Sequence, residues 1–405
     1  MSELRKLPKG WQWVKLGEIA IINPKRPHID RNDDEPTTFI PMSAVDISGK
    51  ITNPDVQPFN KVKKGYTYFE KGDVLFAKIT PCMENGKHAI AENLIDDFGF
   101  GSTEFHVLKP SQKIISEWIY FFVRQSTVLN GATNYFKGAV GQQRVPKEYL
   151  MSLKISLPLL SEQKRLATLL TEKLAGVERA RAAIEAQLEA AQALSGVYLR
   201  EVFESEEANN WVKKTLAEIC VDISDGTHFT PTYVEKGVPF LSVKDVKETK
   251  IYFDNCRYIT KEEHLQLCKR CQPEKGDVLY TKVGTTGIAK AIDIDKEFSI
   301  FVSVALLKIK SDILPEYLEL VLNAPICRTQ AEFLTQGMAN RNLVIKDLKL
   351  IKIPLPSISK QKGIINIAKE KLTLFRQLQK TLEEQLQAIN LMPSAILRQA
   401  FNGEL

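Results

Sequence analysis

The 405-residue chain contains an internal repeat at a spacing near 200 residues. Residues 155–164 (ISLPLLSEQK) return at 353–362 (IPLPSISKQK), an offset of 198. Upstream, residues 71–75 (KGDVL) return at 275–279, an offset of 204. The offset is constant in the later part of each half and drifts in the earlier part. This pattern predicts one scaffold used twice, with two diverged inserts.

Each half divides into a globular part and a helical part. In the globular parts, short β-rich runs lie between turn residues, at 73–79 and 105–108 in the first half and at 277–283 and 300–308 in the second. Helical patterns occur near 116–128 and 315–323. The mixture predicts a compact α/β or α+β unit of about 150 residues in each half.

The helical parts have apolar residues at steps of three, four or seven, which is typical of long amphipathic helices. Ser161 and Ser359 are the predicted N-caps, and each helix should be about 50 Å long. Ser195-Gly196 and Pro393-Ser394 are breakers at the same place in the repeat, so a short helix is expected after each long one. The apolar stripes are formed by Leu166, Leu170, Leu174, Ile184 and Leu188, and by Leu372, Phe375, Leu382 and Leu386.

Two long helices with matching stripes are expected to pack as an antiparallel, coiled-coil-like pair. The alternative is that each helix lies on its own globular domain. The expected fold class is therefore α+β, with two similar mixed α/β domains related by a pseudo-two-fold repeat and separated by the helix pair. The predicted boundaries are 1–158 and 205–356 for the two domains, and 159–204 and 357–405 for the two helical regions.

Composition excludes several classes of protein. Hydrophobic residues at 44% and charged residues at 26% are ordinary for globular chains and exclude a disordered or collagen-like protein. No apolar run approaches the roughly 18 residues of a membrane helix, and the charged N-terminus has no secretory h-region. We therefore expect a cytoplasmic protein without a membrane partner. The net charge of +6 is only weak support for a nucleic-acid partner.

The repeated Leu-Pro turn, followed by Ser161-Glu-Gln-Lys164 and a long helix, is similar to the specificity subunit of type I restriction–modification systems. Residues 7–18 (LPKGWQWVKLGE), both KGDVL runs and residues 225–233 (DGTHFTPTY) carry the same resemblance. It implies two target-recognition domains that each read one half of a split site in double-stranded DNA. It implies no catalytic activity in this chain.

The resemblance also implies partners and their cofactors. Two methyltransferase subunits would use S-adenosylmethionine to methylate adenine, and added restriction subunits would direct ATP-dependent cleavage. S-adenosylmethionine, ATP and Mg²⁺ are thus expected only in partner subunits, with no cofactor in this chain. These partners are expected to dock on apolar surface of the two long helices beyond their mutual seam. The residues predicted to bind them are Leu166, Leu170, Leu174, Ile184 and Leu188 in the first helix and Leu372, Phe375, Leu382 and Leu386 in the second.

Two similar but non-identical readers predict an asymmetric, bipartite site with half-site centres about 34 Å apart. Two rival functions are an enzyme that works alone and a scaffold that binds only proteins. A self-sufficient methyltransferase or nuclease is disfavoured because the chain has no phosphate-binding loop and no Pro-Pro for a base-gripping loop. A coiled-coil scaffold that binds only proteins leaves the polar glycine loops unexplained.

Cys268 and Cys271 have zinc-like spacing, with Cys256 upstream and His264 or Cys220 as further ligands on paper. The first half has no counterpart, so no metal site is predicted. No catalytic residue is predicted either, since His228 has no recognisable nucleophile or carboxylate pattern.

Basic and amide side chains in glycine-containing loops are the expected DNA contacts. The loop 134–144 combines aromatics, glycines and two glutamines suited to adenine, and 336–342 is its repeat partner. The loop 23–31 could equally be a solvated surface loop. The predicted contacts are Lys25, Arg26, Arg31, Lys78, Lys87, Asn134, Lys137, Gln142, Gln143 and Arg144 in the first half, and Thr227, His228, Thr230, Lys282, Thr285, Thr286, Asn340, Arg341 and Asn342 in the second.

Overall fold

The computed structural model describes residues 6–139, 142–335 and 342–405. The chain forms two units, Met1–Glu185 with Glu384–Leu405, and Ala186–Glu383, called here the first and second unit. The division falls inside both long helices, so each unit contains a part of each helix.

The first half of the chain supplies ten strands and six helices to the described structure. They are β1 (Gln12–Lys15), α1 (Leu16–Ile19), β2 (Ala20–Ile22), β3 (Pro36–Ile40), β4 (Asp55–Pro58), α2 (Phe59–Val62), β5 (Thr67–Glu70), β6 (Val74–Ala77), β7 (His88–Ile90), β8 (Phe98–Gly101), β9 (Phe105–Pro110), α3 (Ser116–Val123), α4 (Ser126–Thr133), α5 (Lys147–Ser152), β10 (Lys154–Leu157) and α6 (Leu160–Phe203).

The second half follows the same plan. Its elements are α7 (Glu206–Asn209), β11 (Val212–Thr215), α8 (Leu216–Ile219), β12 (Cys220–Asp225), β13 (Val238–Leu241), β14 (Arg257–Ile259), α9 (Lys261–Cys268), β15 (Val278–Thr281), β16 (Ala289–Ala291), β17 (Ser299–Ile300), β18 (Val304–Ile309), α10 (Pro315–Asn323), α11 (Pro325–Leu334), α12 (Ile345–Leu348), β19 (Lys352–Leu355) and α13 (Ile358–Phe401).

Three sheets recur in the two units. The first sheet is antiparallel, with order β2-β9-β6-β7 and its counterpart β12-β18-β15-β16. The second has order β4-β3-β8-β5 and β14-β13-β17, and contains one parallel pair in each unit. The third sheet is an antiparallel pair of strands, β1-β10 in the first unit and β11-β19 in the second. The predicted fold of two similar mixed domains is confirmed.

The repeated KGD sequence forms the turn that precedes the central strand of each first sheet. Its glycines, Gly72 and Gly276, have φ angles of 86° and 97°, a left-handed region that favours glycine. The Asp73 carboxylate accepts the Glu70 backbone N–H at 2.8 Å, and Asp277 caps its own turn in the same way. Burial raises the pKa of Asp73 to about 6. This motif is therefore structural.

The repeated Gln-Lys sequence has a structural role as well. Gln163 accepts the Ile115 N–H at 3.0 Å and donates to the carbonyls of Lys113 and Pro158 at 3.0 and 2.9 Å. Gln361 makes the same three bonds in the second unit. Both glutamines are fully buried, and each fixes the start of a long helix to the loop before α3 or α10.

The helices α6 and α13 are each continuous over 44 residues. The expected breaks at Ser195-Gly196 and Pro393-Ser394 are therefore wrong. Proline in a helix costs about 3 kcal/mol. Beyond Pro393, however, the helix buries Leu397, Ala400 and Phe401 in the core of the first unit. Because burying a Leu or Phe side chain contributes about 1.5–3 kcal/mol, the gain outweighs the cost.

The two long helices pack together and run antiparallel. In the second unit, the Gln379 side chain donates to the Ala191 carbonyl at 2.9 Å, and the rings of Phe375 and Tyr198 lie 6.2 Å apart. The residue number thus rises along one helix as it falls along the other. The expected antiparallel pair is confirmed.

The ends of the long helices complete the cores of the units. Phe401 lies 4.2 Å from the buried Trp118 ring in the first unit. Phe203 packs edge-on against Tyr317 in the second unit, at 5.8 Å. Within the described residues, no helix is long and apolar enough to cross a membrane.

Candidate nucleic-acid interface

In the first unit, a polar loop pairs with the residues that follow the central strand β6. Arg144 forms a β-bridge with Ile79, and the Val145 N–H donates to the Lys78 carbonyl at 2.9 Å. The Thr80 N–H donates to the Gln143 carbonyl at 2.9 Å. These contacts bring the predicted residues Lys78, Gln143 and Arg144 next to one another.

The second unit repeats this arrangement. Asn342 forms a β-bridge with Val283, and the Leu343 N–H donates to the Lys282 carbonyl at 2.8 Å. Lys282 thus corresponds to Lys78, and Asn342 to Arg144. The predicted contacts Asn340 and Arg341 lie outside the described residues.

Arg144 is held by a carboxylate. Its Nε donates to Oε2 of Glu104 at 2.9 Å and its Nη2 to Oε1 at 2.8 Å, while Nη1 donates to the Gln142 carbonyl at 2.9 Å. The bonds from Arg144 hold the pKa of Glu104 below its usual range. Burial lowers the pKa of the neighbouring Lys78, an effect that Glu104 opposes.

The three cations of the loop 23–31 differ in their contacts, and Arg26 donates to the Lys63 carbonyl. Lys25 is exposed, and Arg26 lines a cleft of about 400 Å³ together with Lys78 and Tyr68. The Arg31 side chain is only 6% exposed and pairs with Asp96 at 2.6 Å. Contact between Arg31 and DNA would therefore require this ion pair to open.

The other predicted contacts of the first unit differ in exposure. Asn134, Lys137 and Gln142 are exposed, whereas Gln143 and Lys87 are half-buried. All five side chains are polar, and Lys87 and Lys137 carry positive charge.

In the second unit, two cations and a histidine surround a buried carboxylate. Asp225, with its side chain 6% exposed, accepts from Arg270 at 2.7 Å, His228 at 3.1 Å and Lys282 at 3.1 Å. Lys282 is itself buried, so its ammonium is engaged inside the protein. Arg270 and Asp225 were missed by the sequence reasoning, since Arg270 lies on a different element, 45 residues further along the chain.

The predicted contact threonines of the second unit differ in exposure. Thr227 is buried and its hydroxyl bonds within its own loop, whereas Thr230 and Thr285 are exposed. Oγ1 of Thr286 and Oδ1 of Asn342 are buried with no hydrogen-bond partner. A cavity of about 240 Å³ next to Thr227 is lined by the exposed side chains of Phe229 and Arg270, among others.

The residues predicted to bind partners are buried or half-buried. Leu166 and Leu170 lie in the hydrophobic core of the first unit, and Leu174 packs against that core. The exposed apolar side chains of α13 are different ones. They are Ile367, Leu374, Leu378, Leu391 and Met392, with exposed fractions of 43–72%.

Across the described parts of the chain, no group of three or more His, Cys, Asp or Glu side chains could hold a metal ion. Sγ of Cys268 lies 3.5 Å from Nε2 of His264. Burial raises the pKa of the Cys271 thiol to about 11, which disfavours the thiolate that a metal requires.

The fold and the two polar surfaces define a class of duplicated recognition proteins in which long helices join two similar mixed domains. A family model described as the type I restriction modification DNA specificity domain matches residues 8–190 and 208–388. The chain belongs to this family of type I restriction–modification specificity proteins.

Curated relatives carry related names. The chain is 34% identical over 215 residues to the type I restriction enzyme EcoAI specificity subunit of Escherichia coli, covering 51% of this chain and 36% of the relative. It is 37% identical over 164 residues to the EcoEI specificity subunit of Escherichia coli, covering 40% and 27%. The matched regions thus span only about a third of these two relatives.

Two solved structures share the fold along nearly the whole chain. The HsdS subunit of Thermoanaerobacter tengcongensis is 23% identical, with a TM-score of 0.69 and 99% of both chains covered. A chain solved in work on complex assembly and conformational transition of the type I R-M system is 24% identical, with a TM-score of 0.80 and coverage of 99% and 100%.

Proposed function

We propose that this chain is the sequence-specific DNA-recognition subunit of a type I restriction–modification complex and that it reads a bipartite, asymmetric site. The observation that carries the proposal is the recurrence of one arrangement: in both units, a polar loop pairs with the residues after the central strand. Family membership supports the same conclusion.

Residues 1–158 and 205–356 are the two recognition domains in this proposal, and each reads one half-site. The regions 159–204 and 357–405 connect them. Arg144 and Asn342 occupy the same place in the two units but differ in chemistry, so the two half-sites should differ in sequence.

In the first unit, we assign phosphate contacts to Lys25, Arg26 and Lys137 and base contacts to the loop that ends at Gln143 and Arg144. Exposed cations suit phosphates, and amide or guanidinium groups suit base edges.

In the second unit, the exposed groups His228, Thr230, Thr285 and Arg270 are assigned to the backbone of the DNA. Asn340, Arg341 and Asn342 are assigned to the bases on the basis of the sequence repeat. Asp225 fixes the positions of the exposed Arg270 and His228 side chains through contacts of 2.7 and 3.1 Å.

We assign partner docking to the exposed apolar side chains of α13, Ile367, Leu374 and Leu378. These residues recur at steps of seven and four, so they share one face of the helix. The expected partners are two methyltransferase subunits and, for cleavage, restriction subunits. S-adenosylmethionine, ATP and Mg²⁺ would act in those partners, and this chain would perform no catalysis.

The test compares the purified chain alone with the chain assembled with a candidate methyltransferase subunit. Transfer of a labelled methyl group from S-adenosylmethionine to DNA is measured, and the modified positions are mapped. We expect no methylation by either component alone and methylation at one bipartite sequence by the assembly.

Methylation by the lone chain would show a self-sufficient enzyme and contradict the proposal. An assembly that forms but neither binds nor methylates any particular sequence would favour a protein scaffold.

A further inference from the structure

We propose that Arg144 reads a guanine in the half-site of the first unit and that Glu104 is the positioning residue that aims its guanidinium. This inference rests on the proposed function and adds the identity of one base. It depends on which guanidinium hydrogens the protein already uses.

The guanidinium carries five N–H groups in a planar fork. Glu104 takes the edge formed by Nε and Nη2, with bonds of 2.9 and 2.8 Å. The Gln142 carbonyl takes one hydrogen of Nη1 at 2.9 Å. One hydrogen on Nη1 and one on Nη2 are left. We assign the Gln142 carbonyl to the Nη1 hydrogen that points back toward Cδ, so the two that remain point in parallel from the outer edge of the planar guanidinium.

This outer edge matches guanine better than phosphate. Guanine presents two neighbouring acceptors, O6 and N7, in the major groove, and a bidentate arginine is its commonest partner. Glu104 neutralises the charge of Arg144, which weakens its attraction to a phosphate anion but leaves its pairing with uncharged acceptors. The Arg144 side chain is 41% exposed, so it lies at the surface of the unit.

The backbone around Arg144 is fixed on both sides. Its N–H donates to the Lys137 carbonyl at 2.9 Å, and it bridges to Ile79 on the other side. A guanidinium held by a carboxylate on a paired backbone loses little conformational freedom when it binds. The arrangement is therefore suited to discriminate between bases.

At the corresponding positions, the second unit has neither the carboxylate nor the guanidinium. Ser303 stands at the place of Glu104, because its carbonyl accepts the Lys282 N–H at 3.0 Å as the Glu104 carbonyl accepts that of Lys78 at 2.9 Å. Asn342 stands at the place of Arg144. The guanine requirement at this position therefore belongs to one half-site only.

The experiment uses the full chain assembled with its methyltransferase subunits on a duplex containing the mapped site. Each guanine of the site is replaced in turn by 7-deazaguanine, which lacks the N7 acceptor, or by inosine, which keeps O6 and N7. Dissociation constants are measured by fluorescence anisotropy. At one guanine we expect 7-deazaguanine to weaken binding about 10-fold and inosine to have little effect.

Protein variants identify the side chain. In Arg144→Met and Glu104→Gln, the penalty for 7-deazaguanine or for an A·T pair at this position should shrink to less than about 3-fold, with the other half-site unaffected. Glu162→Gln is the matched control, because Glu162 holds Arg165 on α6 through the same two bonds, at 2.9 and 2.8 Å. Its base preference should match that of the unsubstituted chain.

Three results would overturn the inference while leaving the proposed function intact. They are a specific site without guanine in the affected half, insensitivity to 7-deazaguanine at every guanine, and variants that weaken all duplexes equally. The last result would indicate a phosphate contact or a structural role. An assembly without any sequence preference would overturn both this inference and the proposed function.

Discussion

Gln163 and Gln361 show how single buried side chains set the frame of each unit. Each fills the space between the start of a long helix and the loop before a shorter one, with all three of its hydrogen bonds directed at backbone groups. A hydrophobic residue of similar size would leave those backbone groups buried and unpaired.

We expect Gln163→Leu to lower the free energy of unfolding of the first unit by about 1–3 kcal/mol, the cost of leaving buried polar groups unsatisfied. Gln361→Leu should have the same effect on the second unit. Hydrogen–deuterium exchange with mass spectrometry can distinguish the effects of the two substitutions, because faster exchange should be confined to peptides of the substituted unit. The exposed Gln377→Leu serves as control, and equal effects of all three substitutions would contradict this role.

Individual residues were the scale at which sequence reasoning was least complete. The repeat identified the Gln-Lys sequence as a feature that both halves share. The burial of Gln163 could not be predicted, because it depends on the carbonyls of Lys113 and Pro158 lying next to its side chain. The engagement of Arg31 and Lys282 in ion pairs was unpredictable for the same reason. A charge in a loop looks identical in sequence whether its partner is Asp96, Asp225 or a phosphate.

At the scale of elements, local signals gave the starts of the long helices but not their ends. The helices begin at Leu160 and Ile358, within a residue of the predicted Ser161 and Ser359. Gly196 and Pro393 lower helix propensity, yet the tertiary burial of Phe203 and Phe401 beyond them carries each helix through. Propensity is a local quantity, whereas this burial depends on residues more than 100 positions away.

The continuity of both helices makes their glycines targets for stabilisation. A Cβ at Gly196 or at Gly363 would have no neighbouring atom within 4 Å. We therefore expect Gly196→Ala and Gly363→Ala each to raise the free energy of unfolding by about 0.5–1 kcal/mol, because alanine loses less backbone entropy in a helix. Urea denaturation followed by circular dichroism at 222 nm would measure the change.

Gly17→Ala is the contrasting control in α1. A Cβ there would lie 3.2 Å from the Cβ of Met151, so the substitution should give no stabilisation. A loss of stability in Gly196→Ala would mean that the helix is distorted at that point.

At the scale of the whole molecule, the repeat was the most informative feature of the sequence. It predicted two similar mixed domains and a pair of long helices. The sheets of the two units correspond, except that the second sheet has four strands in the first unit and three in the second. The sequence did not predict that residues 384–405 complete the first unit. The contact of Phe401 with Trp118 joins positions 283 residues apart, which no local pattern records.

Two matched phenylalanines test this arrangement. Phe401→Ala should lower the free energy of unfolding of the first unit, and Phe203→Ala that of the second, each by about 3–5 kcal/mol because each leaves a cavity in a core. Amide exchange in the two units would be measured separately, with Phe333→Ala as control because this side chain is 88% exposed. Destabilisation of the second unit by Phe401→Ala would contradict the assignment of residues 384–405 to the first unit.

The closure of the first unit by residues 384–405 has a consequence for synthesis on the ribosome. Residues up to 185 emerge early, but the side chains that seal their core are made only after the roughly 200 residues of the second unit. At about 5–20 residues per second, this delay lasts roughly 10–40 s. Throughout that time, the nascent first unit exposes the apolar surface around Trp118, which is the part of the chain most in need of a chaperone.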